Sequence, residues 1–208
     1  MNLTIDKSNS SGRPSITGLS INSTLRCNLA CVGCNSFSDM KIDDGFSIDD
    51  RINWIRNMRR FGDANDIGVM QWEILGGEPL VDDGHLELIE AIRKNYPSSR
   101  LLVFTNGLLL ANRQDMIGYY KKMKVMFDVT IHDVPDRMVD KIRRGIESYR
   151  EGGIDMRTTS YDPGYDRNRD RQWRQTVVYE GDKVYPHDHG DPKGAWLYCG
   201  LKECLTIQ

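Results

Sequence analysis

Ile16-Thr17-Gly18-Leu19-Ser20-Ile21-Asn22-Ser23-Thr24-Leu25-Arg26-Cys27-Asn28-Leu29-Ala30-Cys31-Val32-Gly33-Cys34 is the stretch from which the rest of the chain is read. Its first ten residues, Ile16 to Leu25, have strand character and run straight into a loop with cysteines spaced C-x3-C-x2-C. The loop supplies three thiolates and no fourth nearby. A saturated four-iron, four-sulfur cubane takes four cysteine ligands, so a triplet can leave one iron open to a small molecule. By itself the spacing also allows a closed cluster, or a structural zinc site completed by a histidine. The next histidine, His85, is a strand and a helix away.

Downstream, apolar periods of 2 and 3.6 alternate. Ser47 to Phe61 reads as a helix with Ser47 as its cap and Asp50 three residues on. Ile48, Ile52, Ile55, Met58 and Phe61 form its stripe, and Gly62 is expected to end it. Val69 to Leu75 is a second strand, closed by Gly76-Gly77. Asp83 to Asn95 is a helix with Leu86, Ile89 and Ile92 inward, stopped before Pro97. Arg100 to Phe104 is a third strand ending in Thr105-Asn106-Gly107, and Asn112 to Lys122 a weaker helix. Val125 to Ile131 is a fourth strand. Pro135 to Tyr149 is a helix with Met138, Ile142, Ile146 and Tyr149 inward, closed by Gly152-Gly153. Ile154 to Ser160 is a fifth strand. Such alternation predicts an α/β fold with a parallel sheet and outer helices. An open doubly wound sheet and a full or partial (β/α) barrel compete, and the expected fold is the partial barrel of parallel strands with outer helices. In either, ligands gather at the carboxyl ends of the strands.

After Ser160 the alternation fails. Thr176 to Glu180 has the composition of a short strand, followed by a turn at Gly181-Asp182, and Tyr185 to Lys193 is polar and turn-rich. The expected organisation is a flexible leader over 1–15, a core over 16–165, and a short irregular C-terminal extension over 166–208.

Composition bounds the function classes. The chain has 208 residues, 39% hydrophobic and 28% charged, with a formal charge of −2. That balance gives no case for nucleic acid or an acidic membrane surface. The leader has no apolar h-region, and no apolar run approaches a bilayer span, so the expected compartment is the cytosol. Five cysteines fall as the triplet plus Cys199 and Cys204, which argues for metal binding over a disulfide framework. Arg167, Arg169, Arg171 and Arg174 interleave with Asp166, Asp170 and Trp173, as in a solvated loop.

Three motifs at three predicted strand ends carry a resemblance. The cysteine loop, then Gly76-Gly77-Glu78-Pro79-Leu80, then Thr105-Asn106-Gly107 together resemble the radical S-adenosylmethionine (SAM) superfamily over roughly residues 16–160. The resemblance implies that Cys27, Cys31 and Cys34 hold a [4Fe-4S] cluster and that SAM chelates its fourth iron. One electron would then cleave SAM to a 5′-deoxyadenosyl radical, which abstracts hydrogen from a substrate. It further implies that Gly76, Gly77 and Glu78 meet SAM, with Glu78 facing its ammonium. Asn106, Thr130 and His132 are further cofactor-binding candidates, and Ser160 and Arg157 weaker ones. Many members carry an aromatic residue before the third cysteine; here it is Gly33.

Trp196 to Gln208, with Cys199 and Cys204, resembles the start of the auxiliary cluster region of SPASM and twitch-type members. A second iron–sulfur cluster there, with His187 or His189 as further ligands, is one reading; two free cysteines in a terminal segment and a redox pair are the others. The implied substrate is a peptide or small molecule in a maturase-like modification, and the implied electron donor a flavodoxin or ferredoxin. One alternative is 7-carboxy-7-deazaguanine synthase, in which Ser36 would lie near a magnesium-binding hydroxyl. Glycyl-radical activating enzymes rank third. A non-catalytic iron–sulfur or zinc protein is the rival from another class.

Overall fold

A computed structural model describes residues 14–31, 34, 36, 38, 45–132 and 134–159, and the backbone of 5–6, 160, 177–180, 183–186 and 204–207. In chain order the strands and helices are β1 (Ile5–Asp6), β2 (Ser15–Ile16), β3 (Gly18–Thr24), α1 (Ile48–Asn65), β4 (Gly68–Val69), β5 (Gln71–Gly76), α2 (Gly84–Asn95), β6 (Arg100–Thr105), α3 (Ile117–Lys122), β7 (Val125–Ile131), α4 (Asp136–Glu151), β8 (Met156–Ser160), β9 (Val177–Glu180), β10 (Lys183–Pro186) and β11 (Cys204–Ile207).

The principal sheet has the order β11-β3-β5-β6-β7-β8, and each neighbouring pair in it is parallel. From β3 to β8 the spatial order follows the chain order. Right-handed crossovers in one unreversed direction put every connecting helix on the same face. A doubly wound sheet reverses its order at a switch point and covers both faces. The observed order is that of a partial barrel.

Alternation along the strands places the core. Leu19 and Ile21 of β3, Trp72 and Ile74 of β5, Leu101 and Val103 of β6, and Phe127 and Val129 of β7 are buried under the helices. From the helices, Ile55, Leu88, Ile89, Ile92, Ile142, Ile146 and Tyr149 complete that core. Each such side chain contributes about 1.5–3 kcal/mol through burial. The intervening residues Ser20, Gln71, Glu73 and Asp128 lie on the opposite face. There Ser20 Oγ donates to Glu73 Oε2 at 2.8 Å and Gln71 Nε2 donates to Glu73 Oε1 at 2.6 Å.

The expected elements are present with shifted bounds. The first strand is broken at Thr17 into β2 and β3, the second at Met70 into β4 and β5, and β2 pairs with β4 in a small sheet with β1. Helix α1 begins with the expected capping box: Asp50 N–H donates to Ser47 Oγ at 3.1 Å and Ser47 N–H to Asp50 Oδ2 at 2.9 Å. The Ser47 hydrogen bonds hold the Asp50 carboxyl below the usual carboxylate range.

Gly62 does not end α1. It is buried inside the helix, and a Cβ there would lie 2.7 Å from the Ile67 carbonyl oxygen. The turn is made by Asp66, at φ 54°, whose N–H donates to the Gly62 carbonyl. Phe61, expected in the apolar stripe, is 46% exposed. Ile55 and Gly62 are seven residues apart on one face, and Phe61 is rotated about 100° from Gly62. Only Ile117–Lys122 of the weaker helix is α-helical, after 3-10 turns at Leu110–Asn112 and Gln114–Met116.

Beyond Ser160, β9 and β10 pair antiparallel with Lys183 opposite Glu180, and the turn expected at Gly181-Asp182 lies outside the described residues. The extension is not wholly irregular: Cys204–Ile207 pairs with Gly18–Ile21 and forms the sheet edge beside β3. The alternation Leu205, Ile207 against Cys204, Thr206 supports a strand, but it is too short to stand out in a sequence. Among the described residues, no helix is long and apolar enough to cross a membrane.

His85 is part of this framework. It is fully buried on α2; its Nδ1 lies 2.8 Å from the Asp82 carbonyl oxygen and its Nε2 2.8 Å from the Tyr120 hydroxyl. A carbonyl only accepts, so Nδ1 carries the proton and Nε2 accepts from Tyr120. Both nitrogens are committed, which removes His85 as a zinc ligand. Burial holds its pKa below the ordinary 6.5. The folded state therefore prefers neutral His85, and its contribution to stability is present above the unfolded pKa and lost as pH falls through the folded one. Urea midpoints should accordingly fall between pH 7.5 and 5. His85→Gln should lower the midpoint at pH 7.5 and flatten that slope; an unchanged slope would contradict the assignment.

Candidate functional site

The carboxyl ends of β3, β5 and β6 meet in one hydrogen-bonded network. Beyond Thr24 the chain keeps running beside β5: Gly77 N–H donates to the Thr24 carbonyl at 2.7 Å, and Glu78 N–H to the Arg26 carbonyl at 2.8 Å. Parallel pairing thus continues past the formal strand ends and seats Arg26, the residue before Cys27. The two glycines are required for this seating. A Cβ on Gly76, at φ 137°, would lie 2.1 Å from the Thr24 carbonyl oxygen, and one on Gly77 2.3 Å from the Arg26 oxygen. The space their missing side chains leave is filled by the entry to the cysteine loop.

Glu78 is the hub. It is 0% exposed. Its Oε1 accepts from Leu80 N–H at 3.0 Å and from the Thr105 hydroxyl at 2.7 Å, and its Oε2 accepts from Asn106 N–H at 2.8 Å. Burial pushes this carboxyl above the usual range, against the three donors, which favour the charged form. The carboxylate expected to face a ligand ammonium joins the β5 loop to the β6 loop.

Asn106 carries the link onward. At 6% exposure it uses both ends of its amide: Oδ1 accepts from Leu108 N–H at 3.0 Å, and Nδ2 donates to Asn28 Oδ1 at 2.8 Å. The same nitrogen lies 3.9 Å from Cys27 Sγ, which also accepts from Leu29 N–H at 3.4 Å.

Cys27, Cys31 and Cys34 are joined in no disulfide, and each is partly exposed. Burial pushes the Cys27 thiol up; the Leu29 N–H opposes this, while Glu78, Cys31 and Cys34 push the same way by charge. Among the described residues, no three His, Cys, Asp or Glu side chains converge on one point as the ligands of a single metal ion do. Separate thiols on one loop, with N–H groups aimed at a sulfur, suit a cluster in which each thiolate holds a different iron. The residues therefore fit a [4Fe-4S] group.

Thr130 and His132 stand at the same edge, on and just after β7, beside β6; Thr130 pairs in register with Thr159. His132 is half-buried and Arg157 exposed, with its Nε 3.5 Å from Asp128 Oδ2 across the strand pair. With the guanidinium half in solvent, such a pair contributes little to stability. Ser36 is half-buried. Gly33, Cys199, His187, His189 and the 166–174 charge cluster lie outside the described residues, as do the side chains of Cys204 and Ser160. Thr105, from the third strand-end motif, and Asn28 both belong to the network. Thr105 is signalled by the Thr105-Asn106-Gly107 run; Asn28 has no signal beyond its place inside the loop.

The profile of the Radical SAM superfamily matches residues 21–155, more than half of the chain. Among curated proteins, a probable GTP 3′,8-cyclase of Methanothermobacter marburgensis is 28% identical over 151 residues, covering 69% of this chain and 47% of that protein. A GTP 3′,8-cyclase of Desulforamulus reducens is 36% identical over 130 residues, covering 62% and 39%. The chain thus spans less than half the length of these curated relatives. The solved structure of native anSMEcpe with bound AdoMet superposes with a TM-score of 0.52 at 19% identity, covering 70% of this chain and 44% of that one. A second anSMEcpe structure, with bound AdoMet and Cp18Cys peptide, gives 0.50 at 18%. At that identity the likeness is one of fold. The family match together with the three joined strand ends places the chain: it belongs to the radical SAM superfamily, enzymes that use a [4Fe-4S] cluster and S-adenosylmethionine.

Proposed function

We propose that Cys27, Cys31 and Cys34 hold the cluster, that SAM binds along the carboxyl edge from Gly76 to His132, and that the substrate is a small polar molecule. The observation that carries the reading is the unbroken connection from Gly76–Glu78 through Thr105-Asn106 to Asn28 and Cys27. When both cofactors are bound, the chemistry supplied there is one-electron cleavage of SAM to methionine and a 5′-deoxyadenosyl radical, the species that abstracts hydrogen.

The protein's own part is positional. Gly76 and Gly77 seat the cysteine loop against β5, Glu78 locks the β5 and β6 loops together, and Asn106 holds Asn28. The half-buried Gly77, through its carbonyl, and the side chains at Thr130 and His132 provide polar groups along the rim for the amino acid and ribose of SAM. An electron donor of the flavodoxin or ferredoxin class would complete the cycle.

For the substrate, a maturase-like peptide or small-molecule modification and 7-carboxy-7-deazaguanine synthesis were the sequence expectations. The relatives named GTP 3′,8-cyclase favour a purine nucleoside triphosphate as the first compound to test.

Anaerobically reconstituted protein should bind about four irons, and SAM should change the EPR signal of the reduced cluster. Cys31→Ala should lose most of the iron and abolish SAM cleavage. A Cys31→Ala protein that still cleaves SAM at the parent rate would overturn the ligand assignment. GTP should be consumed in a SAM-dependent reaction; SAM cleavage that GTP neither accelerates nor joins would overturn the substrate reading alone.

A further inference from the structure

Asn106 was expected at the SAM site, yet its amide is turned toward the cysteine loop. Its carbonyl oxygen accepts from Leu108 N–H, and its NH2 group meets Asn28 Oδ1 at 2.8 Å and Cys27 Sγ at 3.9 Å. Its backbone N–H is fixed by the buried Glu78 carboxylate at 2.8 Å. With both polar atoms of its amide engaged and only 6% exposure, the side chain is turned away from the open part of the site. Two N–H donors, from Asn106 and Leu29, thereby address the same sulfur.

We propose that Asn106 is a positioning residue for Cys27 that also tunes the cluster. It holds the first cysteine through Asn28 and donates to its sulfur, making the bound cluster easier to reduce. The inference rests on the assignment of Cys27 as a cluster ligand.

The direction follows from charge. Reduction adds negative charge to the iron–sulfur core and its thiolates, so a donor aimed at a ligand sulfur stabilises the reduced state more than the oxidised one. Removing the donor lowers the reduction potential. Because this cluster must deliver an electron to SAM, the donor sets how large a fraction is reduced at a given external potential. Asn28 has a separate role: it accepts from Asn106 and keeps the amide over the loop.

The test compares wild type, Asn106→Ala and Asn106→Asp, reconstituted anaerobically and titrated potentiometrically with EPR detection. Asn106→Asp keeps an acceptor for Leu108 N–H but puts a charged oxygen where the NH2 donor was, so its potential should fall at least as far as that of Asn106→Ala, which carries the comparison. Both variants should show a reduced-to-oxidised ratio about tenfold lower at a fixed potential, a fall of about 59 mV for a one-electron couple. Potentials equal to wild type at equal iron content would overturn the proposal and leave Asn106 a purely structural residue. A wild-type chain that binds no cluster would instead overturn the ligand assignment beneath it.

If the variants load iron poorly, the chain before reconstitution is treated with iodoacetamide and mapped by mass spectrometry. Cys27 should then be alkylated severalfold more slowly relative to Cys31 in Asn106→Ala than in wild type, because a sulfur without its N–H donor is less readily held as the thiolate that reacts. An unchanged ratio would overturn the proposal.

Discussion

Glu78→Ala should destabilise the chain by roughly 3–5 kcal/mol, because each buried donor left without an acceptor costs about 1–3 kcal/mol. Three such donors are at stake: Leu80 N–H, Thr105 Oγ–H and Asn106 N–H. A water entering the vacated space can satisfy one or two of them, which keeps the loss below the full sum. A domain of this size has about 5–15 kcal/mol in total, so the variant sits near the limit of folding. Glu78→Gln should lose less, about 1–3 kcal/mol. Its carbonyl oxygen still accepts from Leu80 and Thr105, while its NH2 opposes the Asn106 N–H. Urea unfolding of the metal-free chain measures both. An alanine variant within about 0.5 kcal/mol of wild type would mean that the carboxylate does not join the two loops.

The second large effect is steric. Gly76→Ala puts a Cβ 2.1 Å from the Thr24 carbonyl oxygen at a φ of 137°, and Gly77→Ala puts one 2.3 Å from the Arg26 oxygen. The obstacles are backbone atoms, which cannot rotate away. Strained φ and forced packing each cost about 1–3 kcal/mol, so Gly76→Ala should lose roughly 2–6 kcal/mol. Gly77→Ala should lose less stability and more iron, since it pushes directly on the residue before Cys27. Gly118→Ala is the matched control. It lies in α3 with nothing within 4 Å of its ideal Cβ, and alanine there should stabilise by about 0.5–1 kcal/mol. Iron content and urea midpoints of the three variants settle the order. Full iron loading by Gly77→Ala would contradict the role given to that glycine.

These residues show what a sequence displays and what it conceals. The strand–helix alternation, the Ser47–Asp50 capping box and the three strand-end motifs are local patterns, legible from spacing and residue type. The choice between a barrel and a doubly wound sheet is not local. It rests on β3, β5, β6, β7 and β8 lying side by side in chain order. Gly62 looked like a helix stop because glycine commonly occupies that position, but here the Ile67 carbonyl needs the space above it.

At the site, spacing brought Gly76, Gly77, Glu78 and Asn106 to the right edge of the sheet. It could not reveal that their backbone space, lone pairs and donors are used by neighbouring loops. Whether a polar atom is left over for a ligand depends on who else reaches it, and that is settled by tertiary packing. Asn28 was silent for the same reason: its role exists only once Asn106, 78 residues away in sequence, is folded against it.

The most direct test of the central claim is product formation by the reconstituted full chain. Protein carrying about four irons, reduced with dithionite and given SAM, should release 5′-deoxyadenosine, and Cys31→Ala should release none. Complete cluster loading with no 5′-deoxyadenosine above the protein-free control would contradict the account.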